Sequence, residues 1–322
     1  MDHKLQKKAG MLKEIILLFF LSSGGCILYG QDNAPFLIIL GIAQDAGYPQ
    51  ADCRKACCQK VWEKEQPPAR VSGLGLADPA SGRFWLLDAT PDFREQLHEM
   101  EPFGQLSGIL LTHAHIGHYT GLMHLGREVM GAKGVPVYAM PRMQEFLKDN
   151  GPWGQLVQLN NIELRALKAD STIALSPTLR ATPFLVPHRD EYSETVGFLI
   201  EGPEKKALYI PDIDKWHLWE RDIRELIRQV DIAFLDGTFF ENGEIPGRDM
   251  SEIPHPFIEE SLNLFADLPE EERAKVHFIH FNHTNPALDG AGAAARRVRE
   301  AGCGVAEEGM RVMLEQVIDE DK

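Results

Sequence analysis

Residues 112–118 read Thr112-His113-Ala114-His115-Ile116-Gly117-His118, three imidazoles within six residues. They follow the apolar run Gly108-Ile109-Leu110-Leu111. A short run of that composition reads as a buried strand, and a loop leaving a strand end can turn several side chains toward one point. Imidazole is a good zinc ligand and also suits iron and copper. A core position explains one histidine in such a place; it does not explain three at this spacing.

Three further residues stand just beyond apolar runs. His188 ends Pro183-Phe184-Leu185-Val186-Pro187, Asp212 ends Ala207-Leu208-Tyr209-Ile210-Pro211, and His280 ends His277-Phe278-Ile279. Each alone reads as a turn residue. Together with the triple-histidine segment they form a set, because strand ends are where a sheet brings distant side chains into one cleft. The rest of the chain supports such a scaffold. Strands are expected at 35–41, 71–77, 83–88, 108–112, 135–139, 162–166, 179–186, 195–200, 206–210, 231–235 and 276–281, with a last one at 312–317. Residues 44–60 read as a loop. Helices are expected at 90–100, 121–130, 141–150, 218–230, 258–266 and 291–300. Strands in two batches, each followed by helices, give an α+β sandwich rather than strict βαβ winding. No linker divides residues 31–322, which read as a single domain.

The histidine segment with His188, Asp212 and His280 resembles the metallo-β-lactamase superfamily. The resemblance implies a four-layer αββα sandwich with metal at the strand ends. It implies that His113, His115 and His188 hold a first metal, that Asp212 bridges, and that His118 and His280 serve a second. Gly117 departs from the family pattern, which places Asp directly before the last histidine; His283 or Asp45 could substitute. A closer resemblance, from Leu37 to Met313, is to the coenzyme pyrroloquinoline quinone synthesis protein B group. It is carried by Gly47-Tyr48-Pro49-Gln50 with the cysteines after it, by Trp85-Leu86-Leu87-Asp88-Ala89-Thr90-Pro91-Asp92-Phe93-Arg94, by Leu235-Asp236-Gly237-Thr238-Phe239, and by His280-Phe281-Asn282-His283-Thr284-Asn285-Pro286. These resemblances imply a hydrolase with one or two zinc ions, in which a metal-activated water attacks an ester, amide or phosphoester of a small-molecule substrate. His283 and His255 are the candidate proton carriers, and Asp88 and Asp236 are placed to orient ligand imidazoles. Two alternatives stay open: a mononuclear iron oxygenase, favoured by the missing carboxylate at 117, and a non-catalytic metal- or ligand-binding protein.

Composition narrows the partners. The chain has 48 acidic and 33 basic residues, a net charge of −15, and an acidic surface repels phosphate backbones. No nucleic-acid role is expected. No Gly-x-Ser-x-Gly elbow and no Gly-rich loop ending in Lys-Ser/Thr is present. At the N-terminus, Lys7, Lys8 and Lys13 precede the apolar run 15–21, then Ser22, Ser23, Gly24, Gly25 and Cys26. This is the layout of a secretory signal, so residues 1–30 are expected to direct export to the periplasm or outside the cell. Cleavage after Gly30 would release a soluble chain; lipidation of Cys26 would attach it to a membrane. Cys53, Cys57 and Cys58 cluster, and three readings stand: a disulfide with a spare thiol, a structural zinc site short of a fourth ligand, or reduced loop cysteines. Cys303 reads as structural.

Overall fold

Strand β1 (Phe36–Gly41) is buried along its whole length, and its alternation shows how the chain fills two cores at once. Leu37 and Ile39 pack with Trp85, Phe198 and Tyr209. Phe36, Ile38 and Leu40, on the opposite face, pack with Phe93, Met100 and Met143. Successive side chains of a strand point to opposite faces, so a strand covered on both sides reads as an unbroken apolar run. Burying each such side chain contributes roughly 1.5–3 kcal/mol.

The structure is a computed structural model and describes residues 33–315. The N-terminal signal pattern, Cys26 and the tail from 316 lie outside the described residues. One seven-stranded sheet runs β14-β1-β2-β3-β4-β5-β6, built from β1, β2 (Gly73–Asp78), β3 (Arg83–Leu87), β4 (Gln105–Leu110), β5 (Val135–Ala139), β6 (Ile162–Ala166) and β14 (Arg311–Met313). The other runs β13-β12-β11-β10-β9-β8-β7, from β7 (Ile173–Ala174), β8 (Arg180–Leu185), β9 (Val196–Glu201), β10 (Lys206–Ile210), β11 (Ile232–Asp236), β12 (Val276–Ile279) and β13 (Gly304–Val305). The central core joins the inner faces: Leu74, Leu76, Trp85 and Leu87 of one sheet meet Ala181, Phe198, Tyr209 and Phe234 of the other. Helices α2 (Phe93–Met100), α4 (Pro141–Asp149) and α5 (Trp153–Gln158) cover the first sheet's outer face through Phe93, Met143, Leu147 and Leu156. Helices α6 (Ile223–Arg228), α7 (Ile258–Phe265) and α9 (Ala293–Glu300) cover the second through Ile223, Ile227, Ile258, Phe265 and Val298. The short helices α1 (Ala56–Trp62), α3 (Ile116–Tyr119) and α8 (Glu270–Arg273) complete the set. This is the expected α+β architecture of four layers, αββα.

Strand direction places the site. β1 is antiparallel to β2 and β2 to β3, so β1 and β3 run the same way, and β3 through β6 are parallel. β9 is antiparallel to both β8 and β10, and β10 through β13 are parallel. The C-terminal ends of β1, β3 and β4 therefore share one edge of their sheet, and those of β8, β10, β11 and β12 share one edge of theirs. Asp45, Asp88 and His113 follow the first three; His188, Asp212 and His280 follow three of the second group, and Asp236 ends β11.

Three expected elements differ. Residues 121–130 do not form an α-helix: a 3-10 turn at Thr120–Leu125 stops at Gly126, which is extended. Gly121, Gly126 and Gly131 weaken a helix there. Of 218–230 only Ile223–Arg228 is helical, capped by Asp222, whose side chain accepts from the Arg224 N–H at 2.9 Å. The chain before it is held off the helix by two indoles, Trp216 Nε1 donating to Ser261 Oγ at 2.8 Å and Trp219 Nε1 to the Leu185 carbonyl at 3.0 Å. The loop 44–60 ends in α1, which seats Cys57 and Cys58.

Candidate metal centre

The two sheet edges meet at Asp212. His113 Nε2 lies 3.3 Å from Asp212 Oδ2, and His188 Nε2 lies 3.4 Å from Asp212 Oδ1. His115 Nδ1 is 2.9 Å from His113 Nε2 and 3.3 Å from His188 Nε2. Zinc–ligand bonds of about 2.0–2.1 Å in a tetrahedron set neighbouring ligands roughly 3.3 Å apart. These four separations are close to that length, while His115 Nδ1 lies 4.0 Å from Asp212 Oδ2 and Asp212 meets His113 and His188 through different oxygens; the four residues offer ligand atoms within 4.8 Å of one another.

Each imidazole is aimed by a partner on its other nitrogen. His118 Nδ1 donates to Asp88 Oδ2 at 2.7 Å, and His188 Nδ1 to Asp214 Oδ1 at 3.1 Å. His115 Nε2 donates to Glu191 Oε2 at 3.1 Å. His113 Nδ1 and His280 Nδ1 sit 3.0 Å from the hydroxyls of Thr112 and Thr238. This is the arrangement that fixes tautomer and ring orientation in metal sites. Asp88 also accepts from the Thr112 amide at 2.8 Å. Asp88 and His280 have φ of 70° and 69°, a region that costs non-glycine residues of order 1–3 kcal/mol and persists where surroundings enforce it.

The inward atoms lack protein partners. His118 Nε2, His280 Nε2 and Asp212 Oδ1 are buried and have no hydrogen-bond partner. Orphaned polar atoms at one buried point are costly, and a cation there satisfies all three. His118 Nε2 and His280 Nε2 stand 3.9 and 4.0 Å from Asp212 Oδ2. His118 Nε2 is also 3.4 Å from Asp45 Oδ1, and Asp45, His118 and His280 form a second group whose ligand atoms lie within 4.8 Å of one another.

Without metal, the groups hold one another in opposed charge states. Burial raises the Asp212 carboxyl, but His188, His255 and His280 outweigh it and keep it well below the usual carboxylate range. Burial lowers His118, yet Asp88 and Asp45 outweigh it and lift its imidazolium well above normal. His188 is raised to about 10 by Asp212 and Asp214 against burial. His113 is lowered, first by burial and then by the charge of His118.

The two expected proton carriers part company. His255 is buried beside the centre, its Nδ1 2.8 Å from Asp236 Oδ2 and 3.2 Å from Asp212 Oδ1. His283 sits with Cys53, Cys57 and Cys58, the four offering ligand atoms within 4.8 Å of one another. It brings the fourth candidate ligand atom that local spacing around the cysteines did not reveal, because it comes from 225 positions after Cys58, in the loop after β12. Cys53 and Cys57 sulfurs are 3.7 Å apart, matching the roughly 3.8 Å edge of a tetrahedron with zinc–sulfur bonds of about 2.3 Å. All three cysteines, and Cys303, are free of disulfides.

Comparison with known proteins gives one consistent result. Residues 83–281 match the beta-lactamase superfamily domain. The chain is 26% identical over 307 residues to coenzyme PQQ synthesis protein B of Xanthomonas campestris pv. campestris, covering 86% of this chain and 99% of that protein. The crystal structure of Zn(2+)-bound PqqB from Methylobacterium extorquens is similar with TM-score 0.73 at 25% identity, covering 86% and 99% of the two chains. A diphosphatase of the PhnP family shares the fold, with TM-score 0.61 at 22% identity and coverage of 86% and 96%.

Proposed function

The chain belongs to the metallo-β-lactamase superfamily and is PqqB-like within it, and from that membership we propose that it is a zinc-dependent hydrolase of an ester, amide or phosphoester in a small molecule. The observation that carries the reading is the cluster of His113, His115, His188 and Asp212, whose ligand atoms lie within 4.8 Å of one another at the strand ends of both sheets. Zinc held there supplies a nucleophile at neutral pH by lowering the pKa of its water to about 7.

The chain's own residues do the rest. Asp88, Asp214, Glu191 and the two threonines keep the imidazoles turned inward, so the site is formed before substrate arrives. His255 is the proton carrier. Burial opposes its protonation, but Asp236 and Asp212 outweigh it and raise its pKa, which favours the imidazolium form. Its Nδ1 is committed to Asp236, and no described residue bonds its Nε2. An acid in that state can protonate a leaving alkoxide or amine. The second reading is a mononuclear iron oxygenase, which the likeness to coenzyme PQQ synthesis proteins favours; metal identity in the purified protein separates the two.

Two further parts of the proposal stand outside the centre. Cys53, Cys57, Cys58 and His283 hold a structural zinc, a closed site of four protein ligands. Residues 1–30 direct export, with cleavage after Gly30 or lipidation of Cys26. Zinc-bound thiolates suit that destination, since a metal keeps neighbouring cysteines from pairing.

The test is hydrolysis of bis(4-nitrophenyl) phosphate, 4-nitrophenyl acetate and a chromogenic β-lactam by zinc-loaded and chelator-stripped protein. Zinc-dependent turnover of at least one is expected. Equal rates for the two preparations on every substrate would overturn the hydrolase reading.

A further inference from the structure

Gly117 is a glycine because another residue's side chain fills its space. A Cβ at 117 would lie 2.6 Å from Asp45 Cα and overlap Asp45 Oδ1. The Gly117 N–H donates to that same oxygen at 3.2 Å. The carboxylate is thus seated where a side chain from 117 would project, and it faces His118 Nε2 at 3.4 Å.

His118 Nε2 and His280 Nε2 are buried and unpartnered, and with Asp45 they offer three ligand atoms within 4.8 Å of one another. The Asp45 backbone is pinned by neighbours of both sheets. Ala43 bridges Val71 and Phe281, and the Gln44 N–H donates to the Phe281 carbonyl at 2.8 Å. Two imidazole nitrogens and one carboxylate gathered in the interior, with Asp212 Oδ2 3.9 and 4.0 Å from the two nitrogens, are the donor set for a divalent cation.

We propose that Asp45, from the loop after β1, is the carboxylate ligand of a second metal position with His118 and His280, bridged by Asp212 to the first, and that Gly117 is the vacancy this ligand requires. The inference rests on the reading of the His/Asp cluster as a metal centre. It does not rest on the hydrolase reading, since its readout is metal binding rather than turnover. The carboxylate and the glycine form an exchangeable pair: moving the acid to 117 and emptying 45 should rebuild the site.

The test is zinc titration of the full chain against a competing chelator, with metal counted by elemental analysis. Asp45→Asn keeps the shape and an oxygen for the Gly117 amide, so the fold is retained. It is expected to weaken one zinc of the centre by more than about 100-fold, beyond the 10–100-fold typical of outer-sphere partners, and to leave the other zinc ions in place. Gly117→Asp alone is expected to lower both melting temperature and metal content, because its side chain meets Asp45. Asp45→Gly with Gly117→Asp is expected to recover the wild-type metal count. The proposal is overturned if Asp45→Asn binds the wild-type complement with wild-type affinity, or if the folded double variant holds no more metal than Asp45→Asn.

Discussion

The two ligand clusters of this protein are built on opposite plans. The His/Asp centre draws ligands from the C-terminal ends of strands in both sheets. Each imidazole there has its own outer partner, and several inward atoms are left unsatisfied. The Cys/His cluster draws three ligands from six residues at the start of α1 and one from the loop after β12. The first plan keeps atoms in reserve beyond its first four ligands, among them His118 Nε2 and His280 Nε2. The second has four protein atoms, which would enclose a metal with nothing left over. Chemistry should therefore reside in the first and stability in the second, and each experiment below sets one against the other.

The largest effect is expected from His113→Ala and His188→Ala. Either removes a ligand of the first position and, with it, the several kcal/mol that a bound metal contributes to a hydrolytic transition state, about 10³-fold or more in kcat/KM. Metal counted by elemental analysis should fall at the centre while the zinc at the cysteines stays. Unchanged metal content in both variants would mean the ligands are misassigned.

His255→Gln separates proton transfer from metal binding. Turnover should fall by about 10²–10⁴-fold with the metal count unchanged, and the alkaline limb of the pH–rate profile should vanish, because that limb reports loss of the His255 proton. Asp88→Asn acts one step further out. Asn tolerates the positive φ of 70° at this position and still accepts the Thr112 amide, but it removes the charge that aims His118. Zinc affinity of the second position should drop by about 10–100-fold, readable by chelator competition.

Rising pH weakens the metal-free centre and favours metal binding. His188 goes from an ordinary 6.5 to about 10 in the folded protein. Its ion pairs therefore contribute stability in full below pH 6.5, and that contribution fades as pH rises toward 10. Metal needs the same imidazoles neutral, so affinity rises with pH. The gap in melting temperature between zinc-loaded and stripped protein should be wider at pH 8.5 than at pH 6.5. A gap that narrows with pH would break the assignment of His188 as a ligand.

Much of this was legible in the chain itself. The triple-histidine segment and the strand-end positions of His188, Asp212 and His280 follow from apolar runs that stop at a polar residue, and burial of those runs on both faces is what makes them stop where the sheet edge does. The four layers follow from the same two-sided runs, as in β1. What local sequence could not fix was distance across the fold. Asp45 and His283 were both open substitutes for the acid missing at 117, and nothing near either residue distinguishes them. The structure separates them through pairings between residues far apart in the chain: Ala43 against Val71 and Phe281 brings Asp45 to His118, while the turn at Asn282 carries His283 to the cysteines. The one internal clue was Gly117 itself, a glycine in a motif position where conformational freedom is not needed. Residues 121–130 and 218–230 were overread as helix because glycine spacing and indole anchoring act only once the tertiary neighbours are present.

The smallest effect on chemistry is expected from Cys53→Ser, and it is the sharpest test of the contrast. Zinc present at about 100 times the dissociation constant of its site contributes about 2.7 kcal/mol to the folded state. At roughly 2–4 °C per kcal/mol, losing it should lower the melting temperature by about 5–10 °C. Turnover at 25 °C should change by less than about threefold, even though Cys53 is only eight positions beyond Asp45. The reason is the pinning between them: Tyr48 and Ala69 exchange backbone hydrogen bonds of 3.0 and 2.8 Å, and Gln44 is tied to Phe281. These contacts hold Asp45 without help from the cysteines. If Cys53→Ser instead strips a zinc from the His/Asp centre as well, the loop transmits from one cluster to the other, and the division between a stabilising site and a reactive one fails.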